Sequence, residues 1–275
     1  MGSERDGAIW ISSYPKSGNT WLRCLLEAYR RNGVLDINDM RITTSDGGLC
    51  LLQGVSPTPA DKLGFRGEML IRPAALLGLF SRLPRPILIK THFANMQPVG
   101  LPPCIPEDFT KKAVYVVRDP RSVVLSFSRF FSYSVNLGAD AMANTSFTIG
   151  GTETFGRQFL SSWSNHVSSW ISEKRYPVCV VKYEDLQADP VKGLTGVLEF
   201  LDIEVQEPIV KRAVSAAKIS KLKKVESEDG FKENSAVGRG AFFNGDTSWQ
   251  DELGPKWIKR IEKDHGEVMK LLRYL

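Results

Sequence analysis

Short apolar runs alternate with longer amphipathic stretches along most of the chain. Four of the runs are rich in β-branched residues and end at a polar or charged group: Ile9–Ser12, Ile87–Lys90, Ala113–Val117 and Val178–Lys182. Runs of this length and composition are typical of strands buried in a parallel sheet. The stretches between and after them repeat apolar residues at helical spacing and predict helices over Thr20–Arg31, Arg121–Tyr133, Phe155–Glu173 and Val191–Leu201. This order predicts an α/β fold in which a central parallel sheet is flanked by helices.

The segments outside these elements are less regular. Asn32–Arg85 contains many Gly and Pro residues, and we interpret it as irregular cover of a pocket, with a helix predicted only over Pro73–Arg82. The stretch 134–154 is predicted to be a loop, either a mobile lid or a plain surface connection. The polar segment Glu226–Gly245 precedes a helix predicted over Pro255–Tyr274. With 275 residues, the chain is expected to form one domain over residues 1–275.

Composition narrows the classes of function. An apolar fraction of 42% and a charged fraction of 24% are typical of a globular protein, which we expect to be cytoplasmic. No apolar run reaches the roughly 18 residues of a membrane span, so no stable membrane insertion is expected. The four cysteines and three histidines lack the spacing of a disulfide framework or a metal site. The basic residues are spread along the chain, which argues against nucleic acid; we expect a small-molecule partner, and the oligomeric state stays open.

The segment after the first predicted strand, Tyr14-Pro15-Lys16-Ser17-Gly18-Asn19-Thr20-Trp21, predicts an anion site. Main-chain N–H groups at the start of the following helix would face a phosphate, and Lys16, Ser17 and Thr20 would add one charge and two hydroxyls. In an ATP-binding P-loop the lysine follows the last glycine, whereas Lys16 precedes Gly18. The loop therefore predicts a phosphorylated nucleotide other than a magnesium-bound triphosphate. An ordinary polar turn is the alternative.

Polar residues also follow the other three predicted strands, at the sheet edge where ligands of parallel sheets bind. Lys90 and His92 would lie on one side of an extended chain, so that a cation and a general base are adjacent; a structural histidine is the alternative. Arg118 would bind a phosphate, and Ser126, about two helical turns further on, could reach the same anion. Tyr183 would hydrogen-bond to or stack on a nucleotide base.

Two further segments have weaker signals. Asp119 and Pro120 are a good N-cap and first helical residue, and Arg121 beside them is interpreted as a surface arginine. In the segment Gly238-Arg239-Gly240, the glycines would let the main chain and a guanidinium approach an anion together. A flexible loop with an exposed arginine is the alternative there.

Taken together and in order, these motifs resemble the soluble sulfotransferase family, whose members use 3′-phosphoadenosine 5′-phosphosulfate (PAPS). The resemblance runs from about Ile9 to Trp249 and rests on five segments: Tyr14–Trp21, Lys90–His92, Val117–Arg121 with Ser126, Tyr183–Leu186, and Arg239-Gly240 with Gly245-Asp246. It implies a P-loop, nucleotide-kinase-like sulfotransferase fold. It also implies in-line transfer of a sulfuryl group to an acceptor hydroxyl or amine, with adenosine 3′,5′-bisphosphate (PAP) as product and no metal.

The resemblance also assigns roles to residues. His92 would be the general base, and Lys16 and Lys90 would stabilise charge on the transferring and leaving groups. The residues that would hold the 5′-phosphosulfate are Lys16, Ser17, Gly18, Asn19 and Thr20. The residues that would bind the 3′-phosphate are Arg118, Ser126, Arg239 and Gly240. The residues that would lie near the adenine are Trp21, Tyr183 and Ile219.

The chain departs from the family pattern at several of these positions. Asn19 replaces a usual Thr, Ile219 replaces a common aromatic residue, and the loop around Arg239 lacks one cation. A P-loop nucleotide kinase and a catalytically inactive nucleotide-binding protein are the alternatives. The missing lysine position disfavours the kinase, and the presence of both Lys16 and His92 disfavours the inactive protein.

Overall fold

The computed structural model describes residues 7–83, 86–233, 243 and 248–275. Its strands are β1 (Ala8–Ser13), β2 (Thr44–Ser45), β3 (Ile87–Thr91), β4 (Thr110–Val117), β5 (Thr148–Ile149), β6 (Gln158–Phe159) and β7 (Val178–Lys182). Its helices are α1 (Asn19–Arg30), α2 (Leu49–Gln53), α3 (Gly64–Arg82), α4 (Pro120–Phe131), α5 (Val135–Ala143), α6 (Trp163–Ile171), α7 (Tyr183–Ala188), α8 (Pro190–Phe200), α9 (Glu207–Ala216), α10 (Ile219–Asp229), α11 (Trp249–Glu252) and α12 (Pro255–Leu271).

The central sheet has the strand order β2-β3-β1-β4-β7, and β5 pairs with β6 in a separate antiparallel ribbon. Strand β1 runs parallel to β3, with Ala8 opposite Ile87 and Ser12 opposite Thr91. All six residues of β1 are buried, as expected for a parallel strand covered on both faces. The four predicted strands are confirmed, and so is the α/β class with a parallel central sheet.

The chain divides into two compact units. The first unit consists of the described residues up to Tyr14, Thr43–Tyr115 and Ala141–Val178, and the second of Pro15–Ile42, Val116–Asp140 and the described part of Cys179–Leu275. In the first unit, β3 pairs with β1 and β2, and α2 packs on α3. In the second unit, α1 packs on α8 and α9, and α4 packs on α11 and α12. The expectation of one domain over the whole chain stays a prediction.

Three predicted segments differ from the structure. The helix predicted over Phe155–Glu173 is confined to α6, because Ser161 adopts a left-handed backbone with φ of 58° and Ser162 caps the helix by accepting from the Asn165 N–H. The predicted loop 134–154 contains α5 and β5. The helix predicted to begin at Pro73 begins at Gly64, and Pro73 lies inside it. Buried Met69, among other residues of α3, shows that tertiary packing outweighs the proline there.

None of the helices in the described ranges is both long and apolar enough to cross a membrane.

Candidate functional site

The predicted anion loop in the second unit has the backbone of a phosphate-binding turn. Lys16 and Gly18 both adopt the left-handed region, with φ of 68° and 103°, and α1 begins directly afterwards at Asn19. For a residue other than glycine, this conformation costs about 1–2 kcal/mol, and such strain concentrates at functional sites. The first turn of α1 contains no acidic residue, so no carboxylate of that turn offsets the positive end of the helix dipole. The loop therefore suits an anion.

Tyr183 brings together several of the predicted nucleotide residues. A Cβ atom on Gly18 would lie 2.5 Å from Cδ2 of Tyr183, so only glycine allows this close packing. The Arg118 guanidinium carbon lies 4.2 Å from the Tyr183 ring centroid, and the Trp21 ring centroid lies 5.6 Å from it. Arg118 also donates through Nη1 to the main-chain oxygen of Lys16 over 3.5 Å. The predicted residues Lys16, Gly18, Trp21, Arg118 and Tyr183 thus form one cluster.

Two polar groups in or next to this cluster have no hydrogen-bond partner in the described part of the chain. Ser17 is 1% exposed, and neither its hydroxyl oxygen nor Nε of Arg118 makes a hydrogen bond to a described residue. Buried polar groups are nearly always satisfied, and leaving one unpaired costs about 1–3 kcal/mol. A phosphate or sulfonate oxygen would satisfy both of these donors. The residues present therefore fit an anionic nucleotide.

Lys16 extends over an aromatic ring at the end of the loop. Its Nζ atom lies 4.0 Å from the centroid of Phe130, which is buried in α4. Contact with a ring face stabilises an ammonium group without neutralising its charge. The predicted role of Lys16 at the phosphosulfate stays a prediction.

The start of α4 confirms one prediction and corrects another. Asp119 caps the helix by accepting from the Arg121 N–H, and Pro120 is its first residue. Arg121, interpreted above as a surface arginine, is instead buried, with Nη2 donating to Asp119 at 2.7 Å and Nη1 to Glu262 at 2.8 Å. Glu184 accepts from the Asp119 N–H at 2.9 Å and from the Tyr274 hydroxyl at 2.9 Å. Arg121 and Glu184 therefore hold the helix that follows Arg118.

The predicted base His92 lies in the first unit, half-buried after β3. Its Nδ1 lies 2.9 Å from the main-chain oxygen of Ser13 and 3.5 Å from the Ser13 hydroxyl. Because a carbonyl oxygen only accepts hydrogen bonds, Nδ1 must carry the proton in the neutral ring. The lone pair of the neutral imidazole is then on Nε2. This is the form in which a histidine can act as a general base.

Phe93, the residue after His92, borders a small cavity of the first unit, and Lys90 is hydrogen-bonded through its main chain to Asp46, another residue of the cavity wall. The Lys90 main-chain oxygen accepts from the Asp46 N–H at 3.3 Å, and Lys90 itself is half-buried in β3. Phe93 contributes to a small cavity of about 10 Å³ whose other walls include two ion pairs, Arg72–Asp46 and Arg157–Glu68, each with a 2.6 Å contact. The charges of each pair compensate each other. The cavity therefore offers hydrogen-bonding groups and an aromatic face rather than a net charge.

The contacts described so far do not include the predicted site residues Ser126, Ile219, Arg239 and Gly240. Ser126 is half-buried on α4, and Ile219 is the first residue of α10, near the Ala217 oxygen to which the Trp21 indole N–H donates at 2.9 Å. Arg239 and Gly240 lie outside the described residues. Their predicted roles at the 3′-phosphate and the adenine stay predictions.

Sequence reasoning missed Glu233 and His166, each of which contacts a predicted site residue. Glu233 accepts from Arg23 at 2.8 Å and lies 3.5 Å from the Thr20 hydroxyl. His166 is fully buried in α6 and lies 3.1 Å from the His92 main-chain oxygen. Neither is marked by a motif, although His166 shares one face of α6 with Trp170, at a spacing of four residues. Within the described ranges, no group of three or more His, Cys, Asp or Glu side chains could hold a metal ion.

Comparison with known proteins agrees with this picture. Mouse sulfotransferase 1 family member D1 is 26% identical over an alignment that covers 96% of this chain and 84% of that protein. Mouse sulfotransferase 1A1 is 29% identical, with 78% of this chain and 66% of that protein covered. The crystal structure of mouse sulfotransferase SULT7A1 complexed with PAP matches with a TM-score of 0.64 at 20% identity, covering 97% of this chain and 85% of that one.

A second solved structure shows the same fold. Retinol dehydratase in a complex with retinol and PAP matches with a TM-score of 0.62 at 19% identity, covering 97% of this chain and 82% of that one. The model of the sulfotransferase domain family matches residues 6–273, which is nearly the whole chain. The predicted family and enzyme class are confirmed: the chain belongs to the sulfotransferase domain family.

Proposed function

We propose that this sulfotransferase moves a sulfuryl group from PAPS to a hydroxyl or amine of a small-molecule acceptor, with His92 as the general base. The observation that carries the proposal is a pair of donors, Ser17 Oγ and Arg118 Nε, that have no partner among the described residues and lie at a strained loop at the start of α1. A folded protein tolerates such donors where a ligand satisfies them. When bound, PAPS supplies an activated sulfuryl group.

The second unit would bind both phosphate ends of the nucleotide. The loop from Lys16 to Thr20 would receive the 5′-phosphosulfate through its N–H groups and hydroxyls. Arg118 would bind the 3′-phosphate, with Ser126, Arg239 and Gly240 as further predicted contacts. Trp21, Tyr183 and Ile219 would border the adenine. Arg118 is supported most directly, because its orientation over the Tyr183 ring leaves Nε without a partner among the described residues.

The first unit would supply the base. With Nδ1 donating to the Ser13 carbonyl, Nε2 of His92 can take the proton of the acceptor group. As that proton leaves, the acceptor oxygen bonds to sulfur, the bond from sulfur to the bridging phosphate oxygen breaks, and its electron pair stays on PAP. Lys16 and Lys90 would stabilise the charge that develops on the leaving and transferring groups, which is the main source of rate enhancement expected for such a transfer.

The acceptor would be a small molecule with an apolar or aromatic part. The cavity beside Phe93, at about 10 Å³, has room for only about one water molecule, so it would not hold the acceptor. The cytoplasmic location stays a prediction from composition.

Binding and transfer experiments would test the proposal in two steps. The melting temperature is expected to rise with PAP and to stay unchanged with magnesium-ATP, because the loop lacks the lysine position of an ATP-binding P-loop. Radiolabelled PAPS incubated with a panel of phenols, alcohols, sugars and amines is then expected to label at least one acceptor. A shift with magnesium-ATP alone would favour the nucleotide kinase. Binding of PAP without transfer to any acceptor would favour the inactive nucleotide-binding protein.

A further inference from the structure

One face of α6 holds the segment that follows β3. His166 donates through Nε2 to the His92 carbonyl at 3.1 Å, and Trp170 donates through its indole N–H to the Phe93 carbonyl at 3.1 Å. Between them, the Ser169 hydroxyl accepts from the Asn95 N–H at 3.0 Å. Residues three and four apart share a helix face, so these three side chains reach one stretch of main chain together. The main chain that carries His92 is therefore bound from outside its own strand.

The protons in this network can be assigned from the acceptors. The His92 carbonyl only accepts, so His166 must carry its proton on Nε2, and its Nδ1 then accepts from the Tyr115 hydroxyl at 2.9 Å. A flipped ring or the other tautomer would leave two buried polar groups without partners. The His92 carbonyl thus determines the tautomer of His166, and the Tyr115 hydroxyl complements it by donating to Nδ1.

The surroundings of His166 keep its ring in one state. The ring is fully buried, with the Tyr14 ring edge-on at a centroid distance of 5.3 Å and the Tyr115 ring at 5.7 Å. Burial lowers the pKa of His166 to about 4 from its ordinary 6.5. The ring therefore stays neutral near pH 7 and keeps both a donor and an acceptor nitrogen.

We propose that His166 is a positioning residue for sulfuryl transfer, which holds the main chain of His92 so that Nδ1 of His92 donates to the Ser13 carbonyl and the ring lone pair is on Nε2. This inference rests on the proposed function of His92. His166 itself touches no substrate. Without its hydrogen bond, the His92 carbonyl loses its buried donor and the segment 92–95 shifts, and a displacement of about 1 Å can cost about 100-fold in rate.

Three variants separate positioning from ordinary stabilisation. His166→Met keeps volume and removes the donor, whereas His166→Gln keeps an amide N–H that can reach the position of Nε2. His265→Met is the matched control, because His265 is also buried, lies in α12, and has its pKa lowered to about 4 by burial. We expect His166→Met to lower kcat about 10- to 100-fold with an unchanged KM for PAPS, His166→Gln to restore most of the rate, and His265→Met to leave kcat unchanged.

The tautomer of His92 can also be measured directly by magnetic resonance, without an activity assay. The chain has three histidines, so isotope-labelled histidine gives three ring signals, which the variants assign. We expect the Nδ1-protonated form of His92 in the unaltered protein and in His166→Gln, and a mixture of tautomers in His166→Met. If His166→Met does not fold, Tyr115→Phe, which removes the hydroxyl donor to His166, is expected to give a smaller shift in the same direction.

The outcomes keep the two proposals apart. Equal kcat values for His166→Met and His265→Met, or equal losses for His166→Met and His166→Gln, would overturn the positioning role. An unchanged tautomer of His92 in His166→Met would do the same. Failure of the unaltered protein to transfer sulfuryl groups would instead refute the proposed function, and the tautomer signal would still decide whether His166 orders His92.

Discussion

The surroundings of His92 in the first unit and the anion loop in the second unit differ in whether their polar groups have hydrogen-bond partners. Around His92, the ring nitrogen Nδ1 and the main-chain oxygen both have partners, namely Ser13 and His166. In the anion loop, Ser17 and Arg118 keep donor groups without partners among the described residues. In the first region the described residues satisfy these polar groups, whereas in the second no described residue satisfies them. The geometry around the proposed base therefore comes from the fold, while the anion loop keeps donors to which a ligand could bind.

Replacement of His92 is expected to have the largest effect and tests the first side of this comparison. His92→Ala is expected to lower turnover by about 100- to 10,000-fold, the usual contribution of a general base, because no proton acceptor replaces Nε2. Binding of PAP, measured by calorimetry, should stay within about twofold, since all the predicted nucleotide contacts come from the second unit. Undiminished turnover in this variant would remove His92 from the mechanism.

The stability of the protein at acid pH tests the buried state of His166, which is hydrogen-bonded to the main chain of His92. The pKa of His166 and that of His265 are both lowered by burial to about 4. In the unfolded chain, each histidine takes up a proton near pH 6.5, so each contributes stability that is complete above pH 6.5 and is lost as the pH falls toward 4. The loss approaches about 3 kcal/mol for each histidine, at about 1.4 kcal/mol per pKa unit. Urea unfolding between pH 4 and 6.5 measures this loss of unfolding free energy. Replacing either histidine by methionine should make the unfolding free energy less dependent on pH. An unfolding free energy that does not change with pH in the unaltered protein would contradict the lowered pKa values.

Arg118→Met sharpens the comparison on the nucleotide side. Loss of a charge-assisted hydrogen bond costs about 1.5–3 kcal/mol, so the affinity for PAP should fall about 10- to 100-fold. Arg41→Met is the matched control, because it removes the same charge from an exposed arginine of the second unit. Similar losses in both variants would mean that general charge, rather than contact by Arg118, controls affinity.

Gly18→Ala tests whether the loop tolerates a side chain. The added Cβ would meet Tyr183, and the residue has φ of 103°, so we expect a stability loss of about 1–3 kcal/mol and weaker PAP binding. Gly196→Ala, in α8 with nothing within 4 Å of the added atom, should instead stabilise the protein by up to about 1 kcal/mol. Melting temperatures of the two variants measure both effects, and a neutral Gly18→Ala would contradict the packing described.

Ser17→Ala should have the smallest effect and addresses the unpartnered donor itself. Its hydroxyl has no described partner, so the melting temperature of the ligand-free protein should not fall. PAP affinity should weaken by about 2- to 10-fold, the net value of one hydrogen bond. A lower melting temperature with unchanged affinity would show that the Ser17 hydroxyl stabilises the fold rather than the ligand.

Much of the fold was predictable because its signals are local. The four main strands and the helices after the first, third and fourth strands follow from runs of neighbouring residues, and the predicted N-cap Asp119 was correct. Longer-range effects were not predictable. Pro73 suggested a helix start, yet α3 begins at Gly64, because buried residues on both sides of Pro73 stabilise one continuous helix. Arg121 was expected at the surface, but its partner Glu262 lies 141 positions away in the sequence.

The sequence by itself determined the four main strands, the turn from Lys16 to Thr20 that leads into α1, and the position of His92 after a strand, since each depends on neighbouring residues. Only the tertiary structure decided the state of those groups. The tautomer of His92 depends on Ser13, 79 positions away, and its main chain depends on His166, 74 positions away. Hydrogen bonds between such distant residues form only when the sheet and α6 have packed, and no pattern along the chain encodes them.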